Sequence, residues 1–271
     1  MKKIGLLGCG AIGAQIAKAI DSGIISAKLV SVYDQKPERA QALVNKLLTK
    51  PRIAQNAHML SSEDVNLVVE AASQDAVRGV ALSVLQNRRD LMIMSSGALL
   101  DESVFDVLYD ACAEFDRTIY LPSGAIAGID AIKSVKSELE SLSLVTTKHP
   151  ASLASAPFVI ESKMDIASIK KPVTVFEGMA RDAVRGFPTN INVAALLAIA
   201  GLGDKTRVKI IADPFATENS HAINASGTFG TISIRVHNKP DAQNPKTSRM
   251  AVLSAIQCLK QICSSSVNLG T

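Results

Sequence analysis

The stretch KKIGLLGCGAIGAQIAKAI, residues 2–20, opens on an apolar run, Ile4-Gly5-Leu6-Leu7, and passes into Gly8-Cys9-Gly10-Ala11-Ile12-Gly13. Beyond the glycines, Ile12, Ile16 and Ile20 recur at every fourth position, the spacing of one helix face. Strand, glycine turn and helix in this order form the context in which G-x-G-x-x-G reads as a dinucleotide fingerprint. Gly8 permits the tight turn, Gly10 lets backbone approach a pyrophosphate, and Gly13 lets helix pack close to strand. Ala11 and Ile12 open the helix, whose first N–H groups and partial positive charge favour phosphate.

A second strand is expected at 28–33, with Asp34 at its end. A carboxylate there accepts hydrogen bonds from the adenosine ribose hydroxyls and repels a 2′-phosphate. NAD is therefore favoured over NADP, although Lys36 and Arg39 follow closely. The same carboxylate would also serve as an ordinary turn cap.

From there strands and helices alternate. Helical patterns are expected at 36–48, 76–86 and 102–114, and a short strand within 53–60. Continuous apolar runs at 66–72, 90–94 and 118–121 read as buried parallel strands. Each of the first two leaves through small residues, Ala72-Ser73-Gln74 and Ser95-Ser96-Gly97-Ala98. Strand exits of this kind are where a doubly wound sheet holds its ligand. Ala72, Ser73, Ser96 and Gly97 therefore join the candidate cofactor contacts. The alternation implies a Rossmann-type parallel sheet covered on both faces.

The character changes near Pro122. A helix is expected at 129–139, then β-branched or alternating strands at 141–148, 173–176, 207–212, 219–226 and 230–236. One apolar helix, NVAALLAIA at 192–200, interrupts them. These elements describe a second α+β domain with a mostly antiparallel sheet. A final helix is expected at 246–263. The domains are drawn as 1–122 plus the C-terminal helix 245–271, and 123–244 for substrate, catalysis and oligomerisation.

The chain has 271 residues, 47% of them apolar, enough to bury a sizeable core. Its 29 basic and 25 acidic residues are scattered, which argues against a nucleic-acid partner. Four cysteines without C-x-x-C spacing read as reduced thiols of a cytoplasmic protein. No secretory leader is expected before the first strand. No apolar run reaches the roughly 18 residues of a membrane span. No cluster has metal-ligand spacing.

Candidate chemistry lies in the second half. His58, His149, His221 and His237 are the histidines, and His221 stands out within Glu218-Asn219-Ser220-His221 for its polar neighbours. Lys246-Thr247-Ser248, after Asn244-Pro245, offers an ammonium, two hydroxyls and a helix start to an anion, or is simply a capped helix. Asn190 or Asn192 would reach a nicotinamide carboxamide, or cap the apolar helix.

GCGAIG at 8–13, LPSGAIAGIDAI at 121–132, GFPTNINVAALLAIAG at 186–201, ENSHAI at 218–223 and NPKTS at 244–248 together resemble L-aspartate dehydrogenases, over essentially the whole chain. Before NPKTS this chain carries KPDAQ where the family is often serine-rich. The resemblance implies oxidation of L-aspartate with NAD or NADP to iminoaspartate, which hydrolyses to oxaloacetate and ammonia, and in some bacteria feeds NAD biosynthesis. It implies His221 as the catalytic residue, and cofactor contacts around Ala125 and in the asparagine loop at 190–192. Asn219, Lys246, Thr247 and Ser248 are expected to bind substrate, and the enzyme to be a cytoplasmic homodimer. Dihydrodipicolinate- or homoserine-type reductases, and a catalytically silent NAD-sensing module, share the two-domain plan and remain the alternatives.

Overall fold

The computed structural model describes residues 1–62, 64–188, 191–241 and 247–264. They divide into two compact units. The first comprises residues 1–122 with the C-terminal segment from Val252, and the second comprises residues 123–251.

The first unit runs β1 (Lys2–Leu7), α1 (Ala11–Asp21), β2 (Ala27–Tyr33), α2 (Pro37–Lys46), β3 (Arg52–Ile53), α3 (Met59–Ser62), β4 (Leu67–Glu70), α4 (Gln74–Gln86), β5 (Asp90–Ile93), α5 (Glu102–Phe115) and β6 (Ile119–Tyr120). The strands form one sheet in the order β3-β2-β1-β4-β5-β6, and every neighbouring pair is parallel. The order reverses between β1 and β4, which makes the space beyond their carboxyl ends the ligand position of a doubly wound sheet. All four residues of β4 are buried, as a strand covered on both faces requires. Ile16 and Ile20 of α1 pack into a core with Ile4, Leu6, Leu29, Val32, Leu67 and Met92. Burying each such side chain contributes about 1.5–3 kcal/mol. The strand expected within 53–60 is only β3, at Arg52–Ile53; a turn at 54–58 and the start of α3 follow it.

The second unit runs α6 (Ile129–Ser134), β7 (Leu139–Lys148), α7 (Pro150–Leu153), α8 (Pro157–Glu161), β8 (Val173–Met179), α9 (Ala180–Gly186), α10 (Asn192–Ala200), β9 (Arg207–Ala212), β10 (Asn219–Gly227) and β11 (Gly230–Asn238). Its sheet has the order β11-β10-β7-β9-β8. Three neighbouring pairs are antiparallel and one, β7 with β9, is parallel. The helix expected over 129–139 stops at Ser134, and a 3₁₀ turn at Lys136–Glu138 leads into β7. α10 is apolar on all sides and seven of its nine residues are buried, so it runs inside the unit rather than along its surface.

The last helix, α11 (Arg249–Cys263), begins later than the expected residue 246. Its Ala255 and Leu259 belong to the core of the first unit.

Candidate active site

At the nucleotide end, each glycine has its own local reason. Gly8 has φ +99°, and a Cβ there would lie 2.5 Å from the Ala71 carbonyl oxygen. A Cβ on Gly13 would drive into the carbonyl oxygen of Gly8. Gly10 is different: a Cβ there meets nothing within 4 Å. Packing inside the protein does not require glycine at that position. Gly10 is also the N-cap of α1, which has no side-chain cap bond and no acid in its first turn. Such a helix start suits a pyrophosphate.

Asp34 accepts hydrogen bonds on both carboxylate oxygens, from Cys9 N–H (2.8 Å) and Lys36 N–H (2.9 Å). It ties the glycine turn to the end of β2 as well as presenting an acid where a ribose would lie. Each oxygen keeps a further lone pair. Cys9 is buried beside it, and desolvation, then the Asp34 charge, push its thiol up to about 12. The open space at Gly10, the uncapped helix start and Asp34 together fit a dinucleotide.

Glu70 organises the next two strand exits. It ends β4 at 1% exposure. Oε1 accepts from Ala72 N–H (2.7 Å) and the Ser95 hydroxyl (2.8 Å), and Oε2 from Ser95 N–H (3.0 Å) and Met94 N–H (3.1 Å). Burial pushes its carboxyl up, and the hydrogen bonds from Ser95, Ala72 and Met94 oppose that. Ser73 caps α4 by accepting from Ala76 N–H at 3.2 Å. Ser96 and Gly97 lie buried in a 3₁₀ turn after β5. Glu70 was not singled out from sequence. An acid ending the apolar run Leu-Val-Val was the available signal.

In the second unit, one sheet face changes character along its length. Beyond Leu139, the buried positions on β7 are Leu142, Leu144, Thr146 and Lys148, and on β10 they are Ala225, Ile223, His221 and Asn219. Apolar at one end, the face becomes polar at the carboxyl end of β7. Asn238, opposite Asn219 on β11, is buried too, and its Nδ2 donates to the Ala125 carbonyl at 2.8 Å. The Ala125 stretch, expected to touch cofactor, is thus tied to this polar end.

His221 is 2% exposed, and its Nδ1 lies 3.0 Å from Thr146 Oγ1. Burial, then the positive charge of Lys148, push its pKa down to about 3. This corrects the expectation of a histidine titrating near neutrality: the imidazole stays in its neutral form. Lys148 is 5% exposed, and desolvation lowers its ammonium to about 8. It was not foreseen as a site residue. Its signal was a lysine at a buried position of a period-2 strand. A cavity of about 280 Å³ opens near this end of the sheet, lined among others by His149, Glu218, Asn219 and Pro240.

The other histidines are exposed: Nδ1 of His149 accepts from Ala151 N–H, His58 lies 3.1 Å from the Ser83 hydroxyl, and His237 is on β11. Asn192 opens α10, whose N-cap is Ile191. Asn190 and Lys246 lie outside the described residues. Thr247 and Ser248 precede α11 rather than forming its first turn: the Thr247 carbonyl accepts from Asp241 N–H and Ser248 bridges Pro240. The helix expected to open at 246 opens at Arg249, so Thr247 and Ser248 stand immediately before it.

Residues 130–262 match the family described as aspartate dehydrogenase, C-terminal, and residues 8–122 match homoserine dehydrogenase, NAD binding domain. An L-aspartate dehydrogenase of Nitrosopumilus maritimus is 56% identical over 272 residues, covering 100% of both chains. One of Methanococcoides burtonii is 46% identical over 97% of both. Among solved structures, an aspartate dehydrogenase from Thermotoga maritima superposes with a TM-score of 0.77 at 26% identity, covering 99% of each chain. An apo scyllo-inositol dehydrogenase from Lactobacillus casei, 13% identical, has a TM-score of 0.61 over 99% of this chain and 90% of its own, a likeness of fold.

Proposed function

The chain belongs to the L-aspartate dehydrogenase family, and from that premise we propose that it oxidises L-aspartate to iminoaspartate with NAD(P), the imine then hydrolysing to oxaloacetate and ammonia. The observation carrying this reading is the placement of His221, buried with Thr146 and Lys148 at the polar end of an otherwise apolar sheet face.

When bound, the nicotinamide supplies the acceptor for the hydride that leaves Cα of the substrate. Gly8, Gly10 and Gly13, with the helix start at Ala11 and Ile12, would hold the pyrophosphate, and Asp34 the ribose. Ala72, Ser73, Ser96 and Gly97 at the strand exits, Ala125, and one of Asn190 and Asn192 complete the proposed cofactor contacts. NAD is favoured through Asp34.

His221 would take the proton from the substrate nitrogen as the imine forms, and later activate the water that hydrolyses it. A base at Nε2 needs the tautomer with its proton on Nδ1, donated to Thr146 Oγ1. The free-protein imidazole is a weak base because of burial and the Lys148 charge. A dicarboxylate bound beside it supplies opposite charge and raises its basicity. Asn219, Lys246, Thr247 and Ser248 are the other proposed substrate contacts. The same family reading makes the enzyme a cytoplasmic homodimer and its iminoaspartate a supply for NAD biosynthesis.

The test is absorbance of reduced nicotinamide with a panel of amino acids, each with NAD and with NADP. L-Aspartate should be the substrate turned over, with NAD at least as effective as NADP. Turnover of homoserine, or reduction of dihydrodipicolinate, would replace this reading with the reductase alternative. Cofactor binding without turnover of any substrate would favour an NAD-sensing module.

A further inference from the structure

Lys148 ends β7 two residues beyond Thr146, on the same buried face, and Thr146 holds His221. Its side chain is 5% exposed, yet among the described residues no carboxylate pairs with it. Asp213 bonds the Lys148 carbonyl through its backbone N–H (2.9 Å) and accepts on Oδ1 from Phe215 N–H (2.9 Å). A buried ammonium without an anion is costly, and proteins resolve the cost by pairing it. Near neutrality Lys148 keeps its proton, so a cation waits beside the imidazole.

We propose that Lys148 receives a carboxylate of the substrate and holds it against His221. The assignment rests on the aspartate dehydrogenase reading above, and it adds a binding residue on β7 to the contacts expected from 219 and 246–248. It also links binding to chemistry, because the arriving carboxylate offsets the charge that suppresses the base.

The experiment compares wild type, Lys148→Met and Lys148→Arg, each saturated with NAD. Succinate, a dicarboxylate with no amino group to oxidise, is titrated calorimetrically, and aspartate kinetics are measured alongside. Methionine fills similar volume without a charge, and thermal melting checks that it folds. Lys148→Met should raise the succinate Kd and the aspartate KM by about ten- to a hundredfold, the loss of one charge-assisted hydrogen bond. The NAD Kd should stay unchanged, kcat should change far less than KM, and Lys148→Arg should recover part of the affinity. Undiminished succinate binding in folded Lys148→Met overturns the assignment, as does absence of succinate binding in wild type. A collapse of kcat at constant KM also overturns it, since Lys148 would then be the proton acceptor. If wild type fails to oxidise aspartate but binds succinate through Lys148, the dehydrogenase reading falls and the carboxylate site stands.

Discussion

Glu70 accepts two hydrogen bonds from Ser95, one from its N–H at 3.0 Å and one from its hydroxyl at 2.8 Å. The buried carboxylate thereby fastens the end of β4 to the exit of β5, and its bond from Ala72 N–H fixes the exit of β4 as well. Glu70→Gln puts an NH₂ group where an oxygen met an N–H. At least one buried donor then loses its acceptor, costing about 1–3 kcal/mol. The expected outcome is a lower thermal midpoint and a weaker NAD Kd, with the aspartate KM at saturating NAD little changed. A midpoint and Kd equal to wild type would show that the four bonds do not position these loops.

Gly10 and Gly13 should respond oppositely to a side chain. Nothing lies within 4 Å of a Cβ on Gly10, whereas one on Gly13 enters the Gly8 carbonyl. Gly10→Val should fold with a midpoint near wild type and lose NAD binding. Gly13→Ala should lose stability, by the roughly 1–3 kcal/mol typical of overpacking. Calorimetry and melting on both variants separate the cases. A Gly10→Val protein that folds and retains NAD would remove the pyrophosphate from this turn.

Asp34 holds Cys9 N–H and Lys36 N–H, so its replacement has two effects. Asp34→Ser should shift preference toward NADP by removing the charge that repels a 2′-phosphate. It should also weaken both cofactors, because the turn loses its anchor. The ratio of kcat/KM for NADP over NAD reports the first effect, and the NAD Kd the second. An unchanged ratio would show that Asp34 anchors the turn and does not discriminate the ribose.

Much of this was legible in residue patterns, for identifiable reasons. The bounds of α10 and β9 match the expected 192–200 and 207–212, since an unbroken apolar run and a β-branched alternation leave little choice of element. α7, α8 and α9 were not foreseen. They are four to seven residues long, too short for a periodic signal, and isolated helices of that length are not stable alone. Phe158 and Phe187, at and just beyond such helices, pack with Phe176 of β8, so their order comes from tertiary contact. At the site, His221 was visible because its polar neighbours mark it. Lys148 was not, because its burial depends on the register of β7 beside β10, which one strand's sequence does not display.

Lys148 should leave a signature in stability against pH. Its ammonium is lowered from 10.5 to about 8 by desolvation. Between those values the unfolded chain binds more protons at this site than the folded one, so stability rises with pH across that window. The difference corresponds to roughly 3 kcal/mol. Other groups titrate in the same range, so the quantity to measure is wild type minus Lys148→Met from urea unfolding at pH 7.5 to 10.5. Wild type should start the less stable of the two and close the gap as pH rises. A constant difference would show that Lys148 is solvated or paired in the folded protein.

His221 is the base in the proposed mechanism, and its burial sets its pH behaviour. Desolvation, then Lys148, hold its pKa at about 3 instead of 6.5. In that interval the unfolded chain binds more protons at this site, so the fold loses stability as pH falls from about 6.5 toward 3. His221→Gln should remove that part of the acid sensitivity. It should also lower kcat by about a hundredfold or more, the scale of general acid–base catalysis, while leaving the NAD Kd near wild type. Because the free-protein imidazole is already neutral at pH 5 to 7, kcat/KM should show no limb from His221 near 6.5 once the substrate amino group is allowed for. The kcat profile, which reports the bound complex, should carry a limb at higher pH than 3, because a bound dicarboxylate raises the imidazole. Thr146→Val, which takes away the acceptor for Nδ1–H, should lower kcat by a smaller factor and leave that limb in place. If folded His221→Gln keeps near-normal turnover, the proton goes elsewhere, and Lys148, the other buried base on this face, becomes the residue to test.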